Sequence, residues 1–73
     1  NIVIFPNPTL NLITIRGSED QLRNVTLYSL EGKMLSLLKT IVNENKISMN
    51  LSALPTGIYI LIADSKSYRI VKK

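Results

Sequence analysis

The sequence predicts a small all-β protein, built as an antiparallel β-sandwich of seven strands. Three observations lead to this prediction. Apolar and polar residues alternate over stretches of a few residues, turn-forming residues separate these stretches, and 45% of the 73 residues are hydrophobic. No segment requires a helix, so the strands are expected to pack as two sheets around one core in a single domain of residues 1–73.

The first two strands are predicted at residues 2–5 and 10–15, on either side of the sequence Pro6-Asn7-Pro8. Neither proline can donate a ladder hydrogen bond. This segment is therefore expected to cross the end of a sheet or to lie along its edge.

A polar loop is predicted at residues 16–21, and its carboxylates Glu19 and Asp20 come closest to a metal or acid–base site. They lack an EF-hand pattern and a nearby third ligand, so the loop is expected to be solvated. The chain contains no cysteine and no histidine, which excludes disulfides and thiolate or imidazole metal ligands. Neither a metal nor a cofactor is expected.

The third strand is predicted at residues 24–30, followed by a hairpin turn centred on Glu31-Gly32. Residues 34–42 have an ambiguous periodicity. The spacing of their apolar side chains fits an amphipathic helix, whereas a strand with a bulge or a change of sheet explains the Leu37-Leu38 pair equally well. A strand is favoured, because a hairpin turn precedes it and no helix cap stands before Lys33.

The fifth strand is predicted at residues 47–51 and the sixth at residues 58–63, after the turn Leu54-Pro55-Thr56-Gly57. The sixth strand is apolar on both faces and is too short for a typical buried helix. It is therefore predicted to be a central strand covered on both sides. A turn at residues 65–67 leads to a short, basic seventh strand at residues 68–71.

Positive charge is concentrated at the end of the chain. Four of the nine basic residues lie in the last eight positions, namely Lys66, Arg69, Lys72 and Lys73, and the net charge is +4. Two interpretations are open: a solvated edge strand, or a cationic end that an acidic partner recognises. Nucleic acid is not expected as a partner, because there is no nucleic-acid-binding motif and the aromatic residues lack the spacing of a stacking platform.

Seven strands in this order fit the immunoglobulin-like type of sandwich, although the Cys and Trp hallmarks of immunoglobulin domains are absent. No apolar run approaches the roughly 20 residues that span a bilayer, so stable membrane insertion is not expected. The sequence begins inside its first strand, and it is therefore expected to be a fragment of a larger protein.

Four blocks occur in order along nearly the whole chain: Phe5-Pro6-Asn7-Pro8-Thr9, Tyr28-Ser29-Leu30-Glu31-Gly32-Lys33, Leu51-Ser52-Ala53-Leu54-Pro55-Thr56-Gly57-Ile58-Tyr59, and Tyr68-Arg69-Ile70-Val71-Lys72-Lys73. Together they resemble the type A C-terminal sorting domain of the type IX secretion system, also called the Por secretion system. Phe5 departs from the family pattern, in which Tyr is common. The motif residues that the resemblance implies are Pro6, Asn7, Pro8, Gly32, Lys33, Leu54, Gly57 and Tyr59.

This resemblance implies a non-catalytic secretion signal. Such a domain lies at the C-terminus of a cargo protein, directs it through an outer-membrane translocon of a Gram-negative bacterium, and is then removed by a sortase. The cleavage site is expected upstream of Asn1, and the cargo is expected to be secreted or held at the cell surface.

The residues themselves also predict no enzyme, because no serine has a histidine partner. The hypothesis for recognition is that the last strand is read by backbone pairing and charge complementarity. Its residues are Tyr68, Arg69, Ile70, Val71, Lys72 and Lys73.

Other possibilities stay open at this stage. The last strand could simply complete the sandwich. The chain could instead be a carbohydrate-binding or adhesive module of a secreted enzyme, or a linker between domains. Unpaired sheet edges could also join two copies into an edge-strand homodimer.

Overall fold

A computed structural model describes residues 1–35 and 39–73 and contains eight β-strands. They form two four-stranded sheets, in which every pair of neighbouring strands is antiparallel. Sheet A has the order β1-β2-β6-β5 and sheet B the order β4-β3-β7-β8. The strands are β1 (Val3–Phe5), β2 (Leu12–Arg16), β3 (Thr26–Ser29), β4 (Met34–Leu35), β5 (Lys39–Asn43), β6 (Lys46–Asn50), β7 (Gly57–Ala63) and β8 (Lys66–Lys72).

The prediction of an all-β antiparallel protein is confirmed, and the predicted number of seven strands is wrong. The additional strand comes from residues 34–42, which the sequence predicts as one strand. In the structure β4 pairs with β3 in sheet B, whereas β5 pairs with β6 in sheet A. The chain thus changes sheet here, which is one of the two explanations offered for the broken alternation. The Leu37-Leu38 pair itself lies outside the described residues.

The hydrophobic core lies between the two sheets and follows from the alternation of side chains along the strands. Its largest fully buried side chains come from β2, β3, β7, β8 and the residue after β6, and they are Ile13, Ile15, Leu27, Leu51, Leu61 and Ile70. Burial of one such side chain contributes about 1.5–3 kcal/mol relative to exposure. Within the described ranges, no helix has the length and apolarity needed to cross a bilayer.

Strand β7 occupies an interior position in sheet B, between β3 and β8. Its inner side chains are buried, but those of its outer face are only half-buried: Ile58, Ile60 and Ile62. The prediction that this strand is covered on both sides is therefore wrong. All eight described strands belong to the two sheets, so none of them remains to cover the outer face of β7.

Two tight turns connect the strands of sheet B. Gly32, with a φ of +90°, lies in the predicted hairpin turn between β3 and β4, where the Lys33 N–H donates to Ser29 Oγ at 3.1 Å. Asp64 and Ser65, with φ values of +53° and +61°, form a two-residue loop between β7 and β8. The predicted turn at residues 65–67 is therefore misplaced, and β8 is longer than the predicted strand at 68–71.

The polar loop after β2 is a capped helical turn. The Ser18 N–H donates to Gln21 Oε1 at 2.9 Å, and the Gln21 N–H donates to Ser18 Oγ at 3.2 Å, which is the pattern of a capping box. The turn places Leu22 in the core. Asp20 accepts a hydrogen bond from the exposed guanidinium of Arg23 at 2.8 Å.

Candidate functional site

The last strand, β8, presents two different rows of side chains. The inner row faces the core: Ile70 is fully buried, Lys72 is 8% exposed, and Tyr68 packs against the core cluster. The outward row is exposed or half-buried and consists of Arg69 and Val71 on β8 and of Lys73, which directly follows the strand. The six residues predicted to form a recognition surface are therefore divided between the interior and the surface, because side chains alternate along a strand.

Lys72 is the unexpected member of the inner row, since lysine is seldom fully buried. It lies opposite Gly57 at one end of the β7–β8 pair, and its Nζ donates to the main-chain carbonyl of Lys73 at 3.3 Å. The aliphatic part of the side chain is thus covered while the ammonium group reaches a polar acceptor. Charge counting along the sequence cannot show that one of the four terminal cations is buried.

The outer edge of β8 is closed by the segment that contains Asn7 and Thr9. Asn7 Nδ2 donates to the Arg69 carbonyl at 2.8 Å, and the Val71 N–H donates to Asn7 Oδ1 at 2.9 Å. The Thr9 N–H donates to the Val71 carbonyl at 2.9 Å, and the Lys73 N–H donates to the Thr9 carbonyl at 2.8 Å. These four bonds occupy four consecutive backbone groups that point away from β7, along the free edge of the last strand.

The sequence around Asn7 explains this arrangement. A carboxamide carries both a donor and an acceptor, so the Asn7 side chain takes the place of a peptide group beside β8. Pro6 and Pro8 have no N–H, so they cannot donate the hydrogen bonds that a further strand would need to pair with the other side of this segment. Of the two predicted positions for this segment, across the end of a sheet or along its edge, the second is the one observed. That the edge belongs to a strand 62 residues away is not visible in the sequence.

Thr9 connects this edge to the other sheet. It is 2% exposed, and its Oγ1 donates to the Leu12 carbonyl at the start of β2 at 2.6 Å. The same residue therefore bonds to sheet A through its side chain and to β8 through its backbone. Sequence reasoning missed this role, because a single threonine after a proline carries no periodic signal.

The closed edge limits how a partner can read the last strand. Backbone pairing at residues 69–73 first requires release of the bonds made by Asn7 and Thr9. At about 0.5–1.5 kcal/mol net for each of four bonds, their loss would cost about 2–6 kcal/mol. The side chains of Arg69, Val71 and Lys73 are accessible without any such rearrangement.

The motif residues Leu54, Gly57 and Tyr59, just before and at the start of β7, act on the fold. Tyr59 is 8% exposed, and its hydroxyl donates to the Pro55 carbonyl at 2.5 Å. Leu54 packs against the core cluster, and its N–H donates to the Leu51 carbonyl at 2.9 Å. Together these contacts fix the loop that leads into Gly57, the first residue of β7.

The aromatic residues are distributed over separate parts of the sandwich. Phe5 lies on sheet A, Tyr28 is half-buried on the outer face of sheet B, and Tyr59 and Tyr68 belong to the core side. The chain has no further aromatic residue, and these four do not share one exposed surface. This arrangement gives no support to the alternative of a carbohydrate-binding module, which would need adjacent exposed rings.

Comparison with known proteins identifies one family. A family model described as the secretion system C-terminal sorting domain matches residues 3–73. The matched range includes all eight strands and all four sequence blocks. Neither a curated protein nor a solved structure matches the chain. The resemblance to the type IX sorting domain is confirmed by the family match.

Proposed function

Because this chain belongs to the family of type IX secretion system C-terminal sorting domains, we propose that it directs a cargo protein through the outer-membrane translocon and is then removed by a sortase. The family implies an N-terminal cargo and export to the cell surface or the medium. The observation that carries the proposal is the match over residues 3–73. The role is that of a signal, without catalysis.

The proposed fold type of this signal is immunoglobulin-like. The order of sheet A corresponds to strands ABED of that fold, and β3, β7 and β8 correspond to CFG, with β4 as an additional strand beside β3. The hydrogen bond from Tyr59 to the Pro55 carbonyl supports this proposal. In the tyrosine corner of immunoglobulin-like domains, the hydroxyl of a Tyr near the start of strand F likewise bonds to the backbone a few residues upstream.

The proposed recognition surface is the outward row of β8. Arg69 and Lys73 are four residues apart along an extended strand, so their Cα atoms are separated by about 13 Å. Two cations on a strand that is bonded along both edges form a rigid surface, which lowers the entropy lost on binding an acidic partner.

The inner row has a separate role in this proposal. Tyr68, Ile70 and Lys72 hold β8 in the sandwich, and they contribute to recognition only through the position of the outward row. The two interpretations of the last strand, as the closing strand and as a recognition surface, are thus compatible because different residues serve each.

A fusion experiment tests the proposal. The chain, together with the cargo linker in which the cleavage site is expected, is attached to the C-terminus of a periplasm-directed reporter in a bacterium with a type IX system, alongside the reporter alone and the fusion in a translocon-deficient strain. We expect the fusion in the competent strain to reach the cell surface or medium, and its mass to decrease on removal of the domain. Retention of the fusion in the periplasm of the competent strain would contradict the export role. Export without loss of mass would contradict removal by a sortase.

A further inference from the structure

The outer face of sheet B is apolar, although no described strand covers it. Ile58, Ile60 and Ile62 form a row along β7, with Tyr28 on β3 and Val71 on β8 beside it. The outer face of sheet A is mixed. Its neighbouring pairs include Thr14 with Ser48 and Arg16 with Lys46, and it also exposes Val3, Phe5 and Leu12 near β1.

The strand register fixes which residues lie at the same height on the apolar face. Ile60 is directly between Tyr28 and Arg69. In the next row, Ile62 lies between Thr26 and Ser67. The face therefore has an aliphatic centre, one margin with an aromatic ring and a hydroxyl, and an opposite margin with a guanidinium and a hydroxyl.

We propose that this face binds the same face of a second copy of the chain, with a two-fold axis parallel to β7. Rotation about such an axis keeps the height along the strand and exchanges the two margins, so β8 of one copy lies over β3 of the other. Ile60 then contacts Ile60 of the partner subunit, and Arg69 lies over Tyr28 of the partner subunit. Ser67 lies over Thr26 of the partner subunit, where the two hydroxyls can form a hydrogen bond.

The distribution of charge favours a second copy over an arbitrary apolar partner. Arg69 and, directly after the paired residues, Lys73 are the charged residues on the described part of this face, and no described carboxylate accompanies them. A guanidinium covered by aliphatic groups would lose its hydration without compensation. A second copy supplies an aromatic ring at the required position, and a cation over the face of such a ring is attracted to it. The contact occurs twice, as an isologous interface demands.

The size of the face predicts a weak dimer. Four strands about 4.8 Å apart and about five residues long at 3.3 Å each give a flat footprint of about 300 Å² per copy. Side-chain relief increases the contact area, but the total stays below the roughly 1,600 Å² of a standard stable interface. A dissociation constant well above about 1 μM is therefore expected, and the dimer should form only at high concentration.

Sedimentation equilibrium of the 73-residue chain, in a series reaching about 1 mM, tests the proposal. The wild type should show a monomer–dimer equilibrium. Ile60→Glu and Arg69→Glu should each weaken association at least about tenfold, because each places a carboxylate in the interface without a cation opposite. Ser48→Glu, which places the same charge on the outer face of sheet A, should associate like the wild type. Arg69 is exposed, so its variant is informative even if Ile60→Glu fails to fold.

A mixed sample of isotope-labelled and unlabelled chains provides a second readout. An intermolecular NOE between Ile60 methyl groups is expected. A wild type that stays monomeric throughout the series contradicts the proposal. So does a dimer that survives Arg69→Glu but is lost in Ile41→Glu, because that result would assign association to the edge of β5. The dimer would cover Arg69 and Val71 of the proposed recognition surface, so association is tested on the isolated chain, and its outcome does not decide whether the fusion is exported.

Discussion

Strands β5 and β8 each form one edge of a sheet and are the two longest edge strands of the sandwich. Their edges are protected in different ways. The outer backbone of β8 is bonded to Asn7 and Thr9. Strand β5 pairs only with β6 among the described strands, all five of its side chains are exposed, and Ile41 is 73% exposed. A break in register between Ile41 and Asn43, together with Lys39, is a usual protection of an exposed edge. Among the described residues, a distant segment thus closes the edge of β8 but not the edge of β5.

The largest difference in the free energy of unfolding is expected between isoleucine-to-alanine variants on β8 and on β5. Ile70→Ala removes a fully buried side chain and should lower the free energy of unfolding by about 2–5 kcal/mol. Ile41→Ala should change it by less than about 0.5 kcal/mol, because that side chain is largely exposed. Urea unfolding of both variants measures the difference. Equal losses at the two positions would contradict the assignment of β8 to the core.

A smaller effect is expected from opening the edge of β8. Asn7→Ala removes two hydrogen bonds to the β8 backbone and should cost about 1–3 kcal/mol in the free energy of unfolding. It should also speed amide exchange at Val71. Asn11→Ala is the matched control, because the hydrogen bond described for Asn11 uses its backbone carbonyl, and it should have little effect. Unchanged exchange at Val71 in Asn7→Ala would show that the edge is not closed by this side chain.

The smallest effect concerns β7, the partner of β8 inside sheet B. Tyr59→Phe removes the bond to the Pro55 carbonyl and should lower the free energy of unfolding by about 1 kcal/mol. Tyr28→Phe likewise removes a phenolic hydroxyl, here from a half-buried residue on the outer face of sheet B. It should change the free energy of unfolding by less than about 0.5 kcal/mol. Thermal unfolding of the two variants gives the comparison. A Tyr59→Phe variant as stable as the wild type would remove the argument that this tyrosine anchors the start of β7.

The parts of the fold that the sequence predicted depend on local patterns. Alternation identified the strands that carry the core, and Gly32 marked the turn between β3 and β4. The family blocks led to the family that the comparison then confirmed. These signals are local because each involves side chains on one strand or residues in one turn.

The parts that the sequence did not predict depend on pairing between distant residues. The division of residues 34–42 between two sheets is decided by which neighbours β4 and β5 find. The apolar outer face of β7 gives the same pattern in the sequence as a face covered by a further layer. The bonds from Asn7 and Thr9 to β8, and the burial of Lys72, likewise depend on contacts that no single stretch contains.

Export of a reporter fused to charge-reversed domains most directly tests the central claim, that the outward side chains of the last strand carry the signal. The test variant is Arg69→Glu with Lys73→Glu, and the control reverses Arg16 and Arg23, which are exposed elsewhere. Both should keep the fold, as amide exchange in the core can verify. We expect the control to be exported like the wild type and the test variant to be exported at least about tenfold less. Wild-type export of a folded test variant would contradict this account.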